Sequence, residues 1–107
     1  MSYEVKITDT AKNDLREIAL YIAESSKNVD IALNFVGELQ ECCNQLVNFP
    51  NSGAFPKDRI LKSSGYRFLT HKEYLIFYTI DEESKTVYVS AFFNAKKDYF
   101  RVLNKLV

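Results

Sequence analysis

The chain has 107 residues, of which 47 % are hydrophobic and 14 % aromatic, with 14 basic side chains against 14 acidic ones. This length fits one ordinary domain spanning 1–107, and this apolar content excludes intrinsic disorder. No apolar run reaches the roughly 18 residues that a membrane-spanning helix needs, and the polar start MSYEVKITDT is unlike a secretory leader.

The charge is balanced in sum but not along the chain. Residues 1–50 carry four basic and eight acidic side chains, and residues 51–107 carry ten and six. Such asymmetry points either to a basic working face in the C-terminal half or to two differently solvated surfaces. The only cysteines, Cys42 and Cys43, are adjacent. Neighbours in a helix cannot bridge without strain, so reduced thiols in a cytoplasmic protein are expected.

In chain order, the alternation in SYEVKI puts Tyr3, Val5 and Ile7 on one face of a short strand. Thr8 to Thr10 supply N-cap chemistry for a helix whose stripe is Ala11, Leu15, Ile18, Ala19 and Ile22, with Lys12, Asp14, Arg16 and Glu17 largely off it. That helix ends near ESSKN, and Asn28 caps a second one with the stripe Ala32, Leu33, Phe35, Val36, Leu39, Cys43, Leu46 and Val47. The short break between them predicts an antiparallel helical hairpin. Pro50, Gly53 and Pro56 end the second helix and open a poorly patterned loop through KDRILKSSG.

Three strands follow. They are YRFLTH at 66–71, the nearly continuous apolar run YLIFYTI at 74–80, and TVYVSAFF at 86–93. The links are short, which implies an antiparallel meander. Ala95 to Leu106 has the spacing of a further terminal helix, with Asn94 as its cap. The fold class is therefore α+β, with an N-terminal strand, a helical hairpin and a three-stranded meander. The helices form one layer on a small, mostly antiparallel sheet. Periodicity does not place the first strand in that sheet.

Familiar catalytic sets are missing. His71, the single histidine, sits beside a hairpin turn and reads as a solvated turn residue. A cysteine nucleophile needs a base and an electropositive setting, whereas Cys42 and Cys43 share their helix with Glu38 and Glu41. No spacing suits zinc or a phosphate-binding glycine loop, so neither a metal nor another cofactor is expected. What remains is a basic and aromatic set: Lys57, Arg59, Lys62, Arg67, His71, Lys72, Lys96, Lys97, Tyr99 and Arg101. Arg67 lies within a strand, so it must face an open side of the sheet or find a partner, Glu73 or Asp98. Lys96 and Lys97 at a helix start oppose the macrodipole, which favours a positional reason for their charge. Phe92 is expected in the core, and Phe93 or Phe100 on a surface left for a partner.

LREIALYIAE (15–24), ALNFVGELQECCNQLVNFPNSG (32–53), YRFLTHKEYLIFYTIDEESKTVYV (66–89) and NAKKDY (94–99) together resemble, in order and spacing, the RelE/ParE superfamily of type II toxin–antitoxin toxins, nearest the ParE-like branch. The resemblance implies the same fold and a cognate antitoxin partner. It also implies one of two activities: ParE-like members poison DNA gyrase without being known nucleases, whereas RelE-like members cut mRNA on the ribosome without a metal. A third expectation is a chain that has kept antitoxin binding and lost toxicity. Carried over by position, Arg67, Lys96 or Lys97, and Tyr99 are the catalytic candidates if the chain is a nuclease. Leu75 stands where RelE-like nucleases tend to have an arginine, and Asn94 where several subfamilies have a histidine. The missing histidine weakens acid–base chemistry, and the missing arginine removes a charge that could stabilise the phosphate.

Overall fold

The computed structural model describes residues 2–96. Lys97, Tyr99, Phe100, Arg101 and the terminal helix expected up to Leu106 lie outside the described residues. In chain order the elements are β1 (Glu4–Ile7), α1 (Asp9–Ser26), α2 (Val29–Asn44), a single 3-10 turn (Gln45–Val47), α3 (Arg59–Ser63), β2 (Arg67–His71), β3 (Tyr74–Asp81) and β4 (Thr86–Asn94).

Local chemistry explains most of these boundaries. Thr8 caps α1 by accepting a hydrogen bond from the Ala11 amide at 3.2 Å, and Asp9 places an acid in the first turn. Lys27, with φ 57°, turns the chain left-handed and stops the helix. The Asn28 side chain then accepts from the amides of Asp30 and Ile31, so α2 starts at once and lies back along α1.

The sheet order is β1-β4-β3-β2. β2, β3 and β4 form the antiparallel meander, and β1 runs parallel to β4, with Glu4 opposite Thr86 and Ile7 opposite Val89. The sheet is therefore mixed. Between Phe77 and Tyr78 the register shifts: Phe77 faces Ala91 and Tyr78 faces Val89, so Ser90 bulges out.

One face of the sheet carries Leu69, Ile76, Tyr78, Val87, Val89 and Phe92 against Ala11, Leu15 and Ile18 of α1 and Leu39 and Cys43 of α2. The stripes of both helices thus meet the sheet. Two positions depart from the helical reading. Asp14 is buried, because its carboxylate reaches the backbone of β4 and accepts from the Phe92 amide at 3.1 Å. Leu33 is 60 % exposed, at the margin of the stripe beside buried Ala32.

The second face carries its own apolar cluster of Leu61, Phe77, Ala91 and Phe93. Leu61 comes from α3, inside the stretch expected to be an unpatterned loop. Asp58 caps this short helix by accepting from the amides of Ile60 and Leu61, both at 3.0 Å. Phe93 is 2 % exposed, so it is core and not the partner surface expected of it. Phe92 and Phe93 are both buried because successive strand residues point to opposite faces and this sheet is apolar on both.

Candidate functional site

The strand β2 is one edge of the sheet. Pairing of Arg67, Leu69 and His71 with Tyr78, Ile76 and Tyr74 turns all three toward the helical layer. Arg67 and His71 therefore mark the two ends of one row, about 13 Å apart at roughly 3.3 Å per residue. Each end has built a different cluster.

At the Arg67 end, the chain leaving α2 folds back over β3. The Tyr78 hydroxyl donates to the Pro50 carbonyl at 2.7 Å and accepts from the Gly53 amide at 2.9 Å. Burial pushes this hydroxyl's pKa up, against the smaller lowering effects of the Gly53 hydrogen bond and the Arg67 charge, so it serves as a neutral donor. Arg67 donates through Nη1 to the carbonyls of Gly53 at 3.1 Å and Asn51 at 3.3 Å, and its guanidinium lies 4.1 Å from the centre of the Phe55 ring. Lys62 of α3 approaches the same ring at 5.7 Å. Of the two expectations for Arg67, an open side of the sheet or a partner in Glu73 or Asp98, neither anticipated backbone carbonyls and an aromatic face as the groups that engage it; Asp98 lies outside the described residues. Phe55 and Ile60 remain more than half exposed, so this end is a basic and aromatic surface.

At the other end, His71 is far from a solvated turn residue. Its Nε2 is 2.7 Å from Glu38 Oε1, its Nδ1 is 3.5 Å from Cys42 Sγ, and its ring packs 5.7 Å from that of Phe35. Lys72 completes the cluster. Its Nζ is 3.2 Å from the same Glu38 oxygen and 5.4 Å from the Phe35 ring. Lys72 has φ 55°, the left-handed backbone that the two-residue turn between paired His71 and Tyr74 demands, at a cost of about 1–2 kcal/mol for a non-glycine residue. The hydrogen bond from His71, and then that from Lys72, lower the pKa of the Glu38 carboxyl below its ordinary value. Sequence spacing held the clue: His71 alternates with Leu69, and Phe35, Glu38 and Cys42 lie on one face of α2.

Lys96 lies beyond the His71 end. The Asn94 side chain accepts from the Lys96 amide at 2.9 Å, and Lys96 Nζ is 3.9 Å from Glu73 Oε1 across the chain turn. The lysine side chain is 81 % exposed, so this ion pair is a weak surface contact. Of the four catalytic candidates, Arg67 and Lys96 are described and sit toward opposite ends of the hairpin; Lys97 and Tyr99 lie outside the described residues. Leu75 packs against the second-face cluster. Among the described residues no three His, Cys, Asp or Glu side chains gather as metal ligands, and no helix is long and apolar enough to cross a membrane.

The family model described as "ParE toxin of type II toxin-antitoxin system, parDE" matches residues 5–99. The chain belongs to this ParE toxin family. Its fold is similar to that of a solved structure described as the chromosomal ParDE TA system from P. aeruginosa. There the TM-score is 0.73 and the identity 20 %, over 88 % of this chain and 97 % of the other. A second similar structure is the toxin–antitoxin complex RelBE2 from Mycobacterium tuberculosis, at TM-score 0.57 and 23 % identity, over 88 % of this chain and 99 % of the other. No curated protein matches the chain. In this ParE-family chain, then, β2 carries both clusters, and both lie within the span that the family model covers.

Proposed function

We propose that this ParE-family chain is a cytoplasmic growth-inhibiting toxin that acts by binding a large target, DNA gyrase, and is held in check by a cognate antitoxin. The whole chain, 1–107, would serve as one toxin domain needing no cofactor. The observation that supports binding over RNA cleavage is the placement of the cations. Arg67 is already engaged by two carbonyls and Phe55, and Lys96 stands beyond the far end of the hairpin against Glu73. Charge stabilisation of a phosphoryl transition state needs cations preorganised around one point. A basic, aromatic surface such as Arg67, Phe55 and Lys62 suits recognition of a macromolecule instead. The antitoxin is proposed because both similar structures are described as toxin–antitoxin systems or complexes.

The test is induced expression of the chain with and without its antitoxin, followed by a gyrase assay on plasmid with the purified protein. Growth arrest relieved by the antitoxin, with blocked supercoiling or a stabilised cleavage complex, is the expected result. Codon-biased mRNA cuts in translating ribosomes, lost in the Lys96→Ala, Lys97→Ala double variant, would transfer the chain to the nuclease branch, with Arg67 and Tyr99 as the remaining candidates. Normal growth without antitoxin would leave only a module that binds its partner.

A further inference from the structure

The Glu38, His71 and Cys42 cluster has no part in the proposed toxin reading, yet its geometry is that of a base-assisted thiol. A carboxylate only accepts hydrogen bonds, so the 2.7 Å contact assigns the His71 proton to Nε2. In the neutral ring Nδ1 then carries the lone pair and accepts from the Cys42 thiol at 3.5 Å. Glu38 fixes the ring through its far nitrogen, and the Phe35 ring packs beside it, tilted by 47°. Nucleophile, base and orienting carboxylate thus occur in the order that activates a thiol.

The thiol also has somewhere to receive a reactant. Cys42 is partly exposed and lines a cleft of about 340 Å³ together with Gln45, Ser52, Ala54, Phe68 and Thr70. Phe68 exchanges both backbone hydrogen bonds with Ala54 on the outer edge of β2, each at 2.9 Å. Strand alternation turns the Thr70 amide and carbonyl to that same outer edge, where an extended peptide can pair with them.

We propose that Cys42 is a thiolation site, with His71 as its general base and Glu38 as a positioning residue, and that its reactant is a small peptide disulfide. The Cys42 proton moves to His71 Nδ1 as Sγ attacks one sulfur of the disulfide. A bond forms between Sγ and that sulfur, and the original sulfur–sulfur bond breaks. Its electron pair leaves on the second sulfur, which takes the proton back from His71 and departs as a thiol. This chemistry needs no oxyanion-binding donors, only a proton for the leaving group.

The charged groups around the site explain why the base matters. From α2 come Glu38, Glu41 and the neighbouring Cys43; from the end of β2 and its turn come His71 and Lys72. Burial first, then the carboxylates of Glu38 and Glu41, push the pKa of the Cys42 thiol up, so the resting group is protonated. Cys43 is no competitor and no resolving partner. It is 2 % exposed, its thiol is pushed up to about 12, and its place next to Cys42 on a helix forbids a disulfide between them. The adduct therefore stops at the mixed disulfide.

The test incubates the folded full chain with oxidised glutathione at neutral pH and follows intact mass and peptide maps. The expected result is a single adduct on Cys42 that added dithiothreitol reverses. Cys43→Ser should react at the wild-type rate. His71→Gln should react about tenfold slower or worse near neutrality, and should converge with the wild type in alkali, where the thiolate forms unaided. If that variant does not fold, the unaltered chain supplies the second reading: its rate should level off below the thiol's own titration. A rate that keeps falling tenfold per pH unit, an adduct on Cys43, no adduct, or an undiminished rate in folded His71→Gln would each overturn the assignment.

Discussion

At the Arg67 end of β2 a cation is held by two carbonyls and a ring, while at the His71 end two basic side chains share one carboxylate oxygen. The first cluster is built from dipoles and packing. It knits the 50–55 segment to β3 through Tyr78, and it lies over a fully buried hydroxyl-bearing ring. The second is built from ionisable groups at the surface, and its charges depend on solvent conditions. The same strand thus presents one end whose integrity depends on shape and another whose integrity depends on pH and salt. The difference separates fold-bearing residues from chemically responsive ones, and each can be disturbed alone.

The largest effect is expected at Gly53. A Cβ placed there would lie 2.5 Å from the Tyr78 hydroxyl, 2.8 Å from its ring and 2.9 Å from the Phe68 carbonyl. The backbone oxygen cannot swing aside as a flexible side chain can. Gly53→Ala should therefore lose about 3 kcal/mol, combining overpacking with broken hydrogen bonds, as read by urea denaturation. Tyr78→Phe keeps the ring and removes only the hydroxyl. It strands the Pro50 carbonyl and the Gly53 amide, and should cost about 2 kcal/mol in the same assay. If Tyr78→Phe proved neutral, the 50–55 segment would be held by something other than this tyrosine, and the contrast between the two ends would weaken.

Local signals in the sequence were enough to read the helical hairpin, the Asn28 cap, a cap within Thr8 to Thr10 and the antiparallel meander, because caps and periodicity act within one turn or one strand. The parallel pairing of β1 with β4 was not legible. It joins residues about 80 positions apart and leaves no mark in either strand's pattern. Asp14 was hidden for the same reason: its partner is the Phe92 amide. The site was less legible than the fold. Arg67 stood out as a charge within a strand, but its acceptors are carbonyls, which every residue carries and no sequence can single out. His71 was misread because its place beside a turn outweighed its alternation with Leu69. Cys42 stood beside the acids of its own helix, and those acids do act on its thiol; its contact with His71 joins two elements 29 positions apart, which no pattern within either one marks.

Arg67→Lys sharpens the comparison with a smaller effect. Lysine keeps the charge but not the planar fork that reaches two carbonyls while lying over Phe55. The loss should be about 1 kcal/mol. It should hardly change between low salt and about 1 M salt, where the Debye length is about 3 Å, because the acceptors are a ring and close-lying dipoles. Chemical denaturation at both salt levels checks this. A strong salt dependence would mean that Arg67 answers to a carboxylate after all.

The smallest effect belongs to Glu38, and its sign follows from the direction of its shift. The hydrogen bond from His71, then that from Lys72, hold the Glu38 carboxyl below its ordinary 4.5 in the folded chain. A depressed carboxyl stabilises the fold above its unfolded pKa, and that contribution disappears as pH falls through the lower, folded value. Thermal midpoints of the wild type should therefore exceed those of Glu38→Gln above about pH 4.5, with the gap closing on further acidification. The side chain is 44 % exposed, so the gap should be small and should shrink in salt. Gly53→Ala, whose defect is steric, should shift the curve equally at every one of these pH values. A Glu38→Gln gap that persisted unchanged into strong acid would show that this end, too, is held by packing, through Phe35 and the His71 ring, and not by charge.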